Sequence, residues 1–384
     1  MATLPQALAA LGRRERDILA LTRRWVEVNS YTENIEGVNR VGAMLAEAFA
    51  LPSLAAETIP GHAHGDHHVW RTAAAGAPIL LVGHHDTVFP PGHFEGWHED
   101  GGSARGPGCF DMKGGLAIIW GVLASLDEVG ELARLPLLVM SVSDEEVGSP
   151  ESRPHLEARA RGAAAALVFE SGRVEDRIVT SRRGVGAMRA VAVGRAAHAG
   201  NAHKEGINAV WAIARFIDRA QRLTNYARGM TVNVGMVKGG TSKNTVPGGA
   251  ECALDMRFET VADAEALGAA LRRAAAEAAA EVPGATIELS GGPSRLPMER
   301  TAASAALYEE YAACQRAAGL GAGETPMVGG GSDANTVSAI GVPAIDGLGP
   351  RGGGFHTTSE HVELASFLPK ADALLRFLWG RRPA

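Results

Sequence analysis

Cysteine is scarce in this sequence, which argues against a disulfide-stabilised fold. Three cysteines occur in 384 residues, far apart in the chain, at Cys109, Cys252 and Cys314. An odd and scattered set lacks the spacing of a disulfide framework. We therefore expect reduced thiols in the core of a cytoplasmic protein.

Clustered basic residues and long apolar runs are also missing. The 37 basic and 43 acidic residues give a net charge of −6, and no block of Lys or Arg occurs. Binding to nucleic acid requires clustered cations, so we do not expect it. No run of 18 apolar residues occurs, and the first 25 residues lack the pattern of a signal peptide. The sequence predicts no membrane segment.

Short apolar segments that alternate with helical patterns are abundant. The composition, 46% apolar and 21% charged, is that of a globular protein, and the length predicts two or three domains at about 150 residues each. Apolar runs typical of buried strands occur at 78–83, 136–143, 165–169 and 342–346, with a buried helical pattern at 115–126. Strands of this kind predict an α/β fold, in which helices flank a mixed, mostly parallel sheet.

A different pattern occupies the middle of the chain. The predicted order is strand, helix, two strands, helix and strand, at 185–193, 206–223, 230–238, 250–258, 262–281 and 284–290. This order is that of a ferredoxin-like α+β domain. We therefore predict one α/β domain made of residues 1–183 and 295–384, interrupted by an inserted domain at 184–294.

Potential metal ligands follow three of the apolar strands. They are His84 with Asp86, Glu145 with Glu146, and Glu170. Parallel strands place their carboxyl ends at one edge of a sheet, where ligands bind. Because clustered carboxylates are costly without a cation, two divalent ions that share a bridging carboxylate would hold them together. Histidine nitrogen and carboxylate oxygen without cysteine favour Zn²⁺, with Mn²⁺ or Co²⁺ as alternatives.

Motifs along the whole chain identify a family resemblance. They are GHHDTV at 83–88, GPGCFDMKGG at 106–115, DEEVGS at 144–149, FE at 169–170, AHAG at 197–200, NTVP at 244–247, GGGSDA at 329–334 and GFHT at 354–357. In these motifs the chain resembles the M20 metallopeptidases, and within them the branch of glutamate carboxypeptidases and acetylornithine or succinyl-diaminopimelate deacylases. The resemblance implies a zinc-exopeptidase-like catalytic domain with an inserted lid and dimerisation domain.

The resemblance also implies a ligand set for two metal ions. Asp111 would bridge both ions, Glu146 and His356 would complete one site, and His84 and Glu170 the other. It further implies a cis peptide bond after Asp111.

Further roles follow from the same resemblance. Glu145 would be the general base, and Asp86 would orient His84. His198 would stabilise the oxyanion, reaching the site from the neighbouring subunit of a homodimer. Asn244 and Arg257 would bind the substrate's α-carboxylate, since an Arg fork suits bidentate binding.

Some positions carry weaker expectations. The glycine-rich loop that contains Gly330 and Ser332 could present backbone N–H groups to the substrate. A glutamate-type substrate would favour a second cation beside Arg257, with Lys243 and Arg351 as candidates. We interpret the histidines of 61–68 as a solvated loop that leads into a strand.

The resemblance implies a dinuclear metal-dependent hydrolase that releases an amino acid from an N-acyl amino acid or a C-terminal glutamate conjugate. The alternative within enzymes is a biosynthetic deacylase of acetylornithine or succinyl-diaminopimelate. A non-catalytic binding protein is a remote alternative, because it predicts the loss of a ligand or of the base, and none is lost.

Overall fold

The computed structural model describes residues 2–382. Within them the helices are α1 Leu4–Arg13, α2 Glu15–Val26, α3 Ile35–Ala48, α4 Gly114–Glu128, α5 Ser152–Ala160, α6 Ala209–Gln221, α7 Val261–Ala280, α8 Ala302–Ala317, α9 Asp333–Ala339 and α10 Phe367–Gly380. The strands are β1 Ala55–Ile59, β2 His67–Arg71, β3 Ile79–His84, β4 His98–Asp100, β5 Ser103–Arg105, β6 Leu137–Val142, β7 Ala165–Val168, β8 Gly184–Val193, β9 Ala197–His198, β10 Thr231–Gly239, β11 Thr245–Val246, β12 Gly249–Phe258, β13 Thr286–Arg295, β14 Ala344–Ile345, β15 Gly352–Gly353 and β16 His361–Glu363.

These elements form two compact units. The first contains residues up to 180, 300–327 and the chain from 332 onward, and the second contains 181–299 with 328–331. The predicted fold class, mixed α/β with a mostly parallel sheet and a separate second sheet, is confirmed. The boundaries at 184 and 294, and the lid and dimerisation roles, stay predictions.

A six-stranded sheet organises the first unit. Its strand order is β1-β2-β6-β3-β7-β14. β3 runs parallel to β6 and β7, and β14 runs parallel to β7, whereas β1 and β2 are antiparallel. The central strand β3 is buried along its whole length, so both faces of the sheet are covered at this strand. The carboxyl ends of β3, β6 and β7 therefore meet at one edge.

The helix α4 is the most buried helix beside this sheet. Twelve of its fifteen residues are buried, and the first two are Gly114 and Gly115. By length and composition alone the segment Cys109–Glu128 could cross a membrane. However, 94% of its most apolar stretch is buried inside the protein. Burial of this kind is that of a core helix. The turn that precedes α4 contacts β3.

The second unit is an antiparallel sheet with two helices. The strand order is β10-β12-β8-β13. Alternate residues of β12 are buried, and this face forms one hydrophobic cluster with α6 and α7. Side chains cap both helices, because Asn208 accepts from the N–H of Trp211 and Thr260 from that of Asp263.

The interpretation of residues 61–68 as a solvated loop was wrong for two histidines. His67 and His68 begin β2 and are buried. Ser143 donates its N–H to Nδ1 of His67 at 3.2 Å, and the ring of His68 stacks on Trp70. The histidine-rich composition suggested an exposed loop, whereas the structure has a strand here with both faces buried.

Candidate metal centre

The first unit brings the predicted metal ligands to one edge of the sheet. His84 is the last residue of β3, Glu146 lies in the turn after β6, and Glu170 lies just after β7. Asp111 lies in the tight turn Cys109–Lys113 that enters α4, and its peptide bond to Met112 is cis, as the resemblance implies. His356 lies in the loop between β15 and β16.

One group of ligand atoms surrounds His84. Its Nε2 lies 3.4 Å from Oδ1 of Asp111 and 3.8 Å from Oε1 of Glu170. All three residues are buried, and their ligand atoms lie within 4.8 Å of one another. This spacing is compatible with one metal ion.

A second group surrounds His356. Its Nε2 lies 3.1 Å from Oε2 of Glu146 and 3.5 Å from Oδ2 of Asp111. These ligand atoms also lie within 4.8 Å of one another. Asp111 thus offers one carboxylate oxygen to each group, which is the geometry of a bridging ligand.

The electrostatics of the cluster fit divalent cations. Burial, followed by neighbouring charges, raises the pKa of Glu146 to about 7 and that of Glu170 well above its usual range. Hydrogen bonds to Asp111 and Glu146 raise the pKa of His356 to about 10. Oδ1 of Asp111 is buried without a hydrogen-bond partner. The cluster holds protons because burial disfavours its charged carboxylates and because these repel one another, and cations can replace those protons.

Asp86 connects the two halves of the centre. Nδ1 of His84 lies 3.1 Å from the carbonyl oxygen and 3.3 Å from Oδ1 of Asp86. This contact assigns the ring proton to Nδ1 and leaves Nε2 of His84 as the ligand atom. The same carboxylate accepts the backbone N–H groups of Glu145 and Glu146 at 3.3 and 3.2 Å. The sequence predicted the contact with His84 but not the second contact, which fixes the turn after β6.

Two buried residues that the sequence analysis missed hold the Asp111 turn. Nζ of Lys113 donates to the carbonyl oxygens of Trp25 and Val28, at 3.0 and 3.1 Å. Glu360 accepts three backbone N–H groups of the turn, and burial together with Asp111 raises its pKa to about 8. Lys113 stands in the GPGCFDMKGG motif, which was a signal for it. The sequence contains no signal for Glu360, because its partners are backbone N–H groups about 250 residues earlier in the chain.

The second unit contains His198, Asn244, Arg257 and Gly330. Nδ1 of His198 accepts the backbone N–H groups of Gly200 and Asn201, both at 3.1 Å. A neutral ring in this position carries its proton on Nε2 and can donate it. The carbonyl oxygen of Asn244 accepts from Ala199 at 2.9 Å, beside His198.

Two of the residues expected at the substrate, Arg257 and Gly330, have hydrogen-bond partners within their own unit. The guanidinium of Arg257 pairs with both carboxylate oxygens of Asp255, at 3.0 and 3.1 Å. The carbonyl oxygen of Gly330 accepts from Arg182 at 3.1 Å. Lys243 lies in an exposed loop.

Two of these expectations need correction. Ser332 is buried, and its hydroxyl donates to Asp346 at 2.7 Å and caps α9. Its backbone N–H, the group expected to face the substrate, donates to Oδ1 of Asn335 at 2.9 Å and is occupied as well. Arg351 forms ion pairs with Asp176 and Glu363, at 3.1 and 2.8 Å, so the structure does not support it as a free second cation for the substrate.

Comparisons with known proteins agree with this geometry. Residues 80–380 match the profile of peptidase family M20/M25/M40. The chain is 27% identical to carboxypeptidase G2 of a Pseudomonas species over 356 residues, which cover 91% of this chain and 85% of that protein. It is 27% identical to a succinyl-diaminopimelate desuccinylase of Burkholderia vietnamiensis over 386 residues, 94% of this chain and 98% of that protein. Among solved structures, the YXEP protein of Bacillus subtilis, described as a dinuclear metal-binding M20 peptidase, matches with a TM-score of 0.70 and 16% identity, covering 96% of this chain and 98% of that one.

Proposed function

The chain belongs to peptidase family M20/M25/M40, and from that premise we propose that it is a dinuclear metal-dependent hydrolase. Its substrate is an N-acyl amino acid or a C-terminal peptide conjugate of the glutamate type, and its product is a free amino acid. The observation that carries this proposal is the position of Asp111, which offers separate oxygens to two ligand groups. The first of the two relatives described above, a carboxypeptidase, supports it.

The residues divide between two ions. His84 and Glu170 would hold one, Glu146 and His356 the other, and Asp111 both. A donor set of imidazole nitrogen and carboxylate oxygen suits Zn²⁺, with Mn²⁺ or Co²⁺ as alternatives. When bound, such ions acidify water and stabilise the negative charge of a reacting carbonyl group.

The remaining chemistry belongs to side chains of the protein. Glu145 accepts a proton from the attacking water and delivers it to the leaving amine nitrogen. Asp86 keeps the Nε2 lone pair of His84 available by holding the proton on Nδ1. His198 donates its Nε2–H to the carbonyl oxygen as negative charge develops there. The two backbone N–H groups on its Nδ1 support this role, because they fix the required tautomer.

Recognition of the substrate is assigned to the second unit. Asn244 and Arg257 would bind the α-carboxylate, and backbone N–H groups near Gly330 would contact the substrate. The planar fork of Arg257 suits a carboxylate, and it forms two hydrogen bonds with the side chain of Asp255. A substrate carboxylate would have to share or displace Asp255.

A cytoplasmic homodimer completes the proposal. Its support is the edge strand β10, where Met236 and Val237 are exposed, and the exposed Trp211 on α6. We expect Met236→Glu to shift the mass in light scattering from two chains to one. A wild-type mass of one chain would contradict the dimer.

Amino-acid release by the metal-loaded enzyme tests the function. The substrates are N-acyl amino acids and dipeptides, and the control is the same enzyme with a chelator. Chelator-sensitive release of glutamate or aspartate would support the carboxypeptidase assignment. Release of ornithine or diaminopimelate would favour the biosynthetic deacylase, which the similarity to a desuccinylase also supports. Release that chelation leaves unchanged would contradict both.

A further inference from the structure

Glu360 is a buried carboxylate on the backbone of the Asp111 turn. Its Oε1 accepts the N–H groups of Phe110 and Asp111, at 2.8 and 3.0 Å. Its Oε2 accepts the N–H of Gly108 at 3.1 Å. The side chain is fully buried. Three hydrogen bonds to one buried side chain therefore hold this turn, and losing them would leave backbone N–H groups buried without partners.

The position of Glu360 in the chain joins two loops of the metal centre. Glu360 is four residues from His356. Its own N–H donates to the carbonyl oxygen of Thr357 at 3.0 Å, in the same loop. The strand β16, which begins at the next residue, is anchored on β5. The three hydrogen bonds thus connect the loop of His356 directly to the turn of Asp111.

These bonds bear on the separation of two metal ligands. The N–H of Asp111 itself is one of the three donors, so Glu360 fixes the peptide plane from which the Asp111 side chain projects. That carboxylate lies 3.5 Å from Nε2 of His356. A shift of either loop would open the group formed by Asp111, Glu146 and His356. Metal ligands are commonly oriented in this way by the residues that hydrogen-bond to them.

We propose that Glu360 is a positioning residue of the metal centre, which sets the relative placement of Asp111 and His356 and thereby the affinity for metal. The proposal rests on the metal-binding role assigned above. It adds a residue that contacts neither the ions nor the substrate. Substitution of Glu360 should therefore change the affinity for metal more directly than the catalytic step.

Glu360→Gln is the principal test. The variant has the same size and keeps one oxygen for Phe110 and Asp111, but it presents an amide N–H₂ to the N–H of Gly108. We expect the dissociation constant for Zn²⁺, measured by competition with a chelator, to rise about 10- to 100-fold. The visible spectrum of the Co²⁺-loaded protein should change as well. Glu360→Ala, which loses all three acceptors, should bind metal more weakly than Glu360→Gln.

Glu131→Gln is the matched control. Glu131 is equally buried, and it bonds to the N–H of Ala2 and to Arg134 and Arg382, outside the metal centre. This variant should lose stability but keep the wild-type metal affinity and Co²⁺ spectrum.

Two results separate the possible failures. If Glu360→Gln is destabilised like Glu131→Gln but binds Zn²⁺ with wild-type affinity and an unchanged Co²⁺ spectrum, Glu360 serves the fold alone and the proposal is overturned. If the wild-type protein binds no metal, the proposed function fails first.

Discussion

Two neighbouring glutamates in the turn after β6 have different assigned roles. Glu146 lies 3.1 Å from Nε2 of His356 within a ligand group, whereas Glu145 belongs to neither group. We expect Glu145→Gln to retain both ions and to lower kcat about 10²- to 10⁴-fold, because a general base contributes that much. Glu146→Gln should instead lose metal, which elemental analysis after gel filtration would detect. Normal turnover by the Glu145 variant would rule out its role as the base.

Metal uptake should depend on pH through the same ligands. Without metal, the pKa of Glu146 is raised to about 7 and that of His356 to about 10. Both groups therefore carry protons at pH 6, and a cation must displace them. We expect the affinity for Zn²⁺ to rise from pH 6 to pH 8, with proton release measurable by calorimetry in buffers of different ionisation enthalpy. Binding without proton release would contradict these pKa shifts.

At the scale of single residues, position relative to the strands decided what could be predicted. His84, Glu146 and Glu170 follow apolar strands, so the sequence alone indicated a shared edge. Asp111 and His356 lie in turns, and only the motif resemblance identified them. Neither the strand pattern nor the resemblance predicted Glu360 or the hydrogen bonds from the turn after β6 to Asp86. Both depend on which backbone N–H groups a folded loop presents.

The start of α4 tests the packing of elements around the site. A Cβ on Gly115 would lie 2.2 Å from the carbonyl oxygen of Phe169, which immediately precedes Glu170. Backbone cannot yield as a flexible side chain can, so we expect Gly115→Ala to lower the free energy of unfolding by about 1–3 kcal/mol or more. Denaturant titration measures this loss.

Gly380→Ala is the control for that substitution. A Cβ at Gly380, the last residue of α10, meets nothing within 4 Å. Alanine favours helix over glycine, so stability should stay equal or increase slightly. Equal effects of the two variants would contradict the close approach of α4 to the backbone of Phe169.

Elements whose apolar residues repeat with a clear helical or strand spacing were predictable from the sequence. Elements whose extent depends on tertiary contacts were not. The buried strands and amphipathic helices agree with their predicted ranges to within a few residues. β13 was expected to end at residue 290 but continues to Arg295 through Gly291, Gly292 and Pro293. It does so because β8 pairs with it, and because an edge strand tolerates proline. β2 was missed because its histidines suggested solvent.

For the molecule as a whole, these buried histidines predict sensitivity to acid. Burial lowers the pKa of His67 and of His68 below the ordinary value of 6.5. A group with a lowered pKa contributes stability that is fully present above its unfolded pKa and is lost as the pH falls through its folded pKa. We therefore expect these two residues to favour folding above about pH 6.5 and to destabilise the metal-free protein progressively below it.

The change of unfolding free energy with pH measures this contribution. His68→Gln removes one titrating group, so its stability should fall less steeply than that of the wild type between pH 6.5 and 5. Other titrating groups, including His84 and His356, are common to both proteins and cancel in the difference. Parallel curves would show that His68 does not titrate on unfolding.

Activity measured against metal content tests the central claim most directly. Enzyme stripped by a chelator would be titrated with Zn²⁺ while amino-acid release from the best N-acyl substrate and the bound ions per chain are followed together. A dinuclear hydrolase predicts no release from the stripped enzyme and maximal release at two ions per chain. Full release without metal, or a maximum at one ion per chain, would contradict the account.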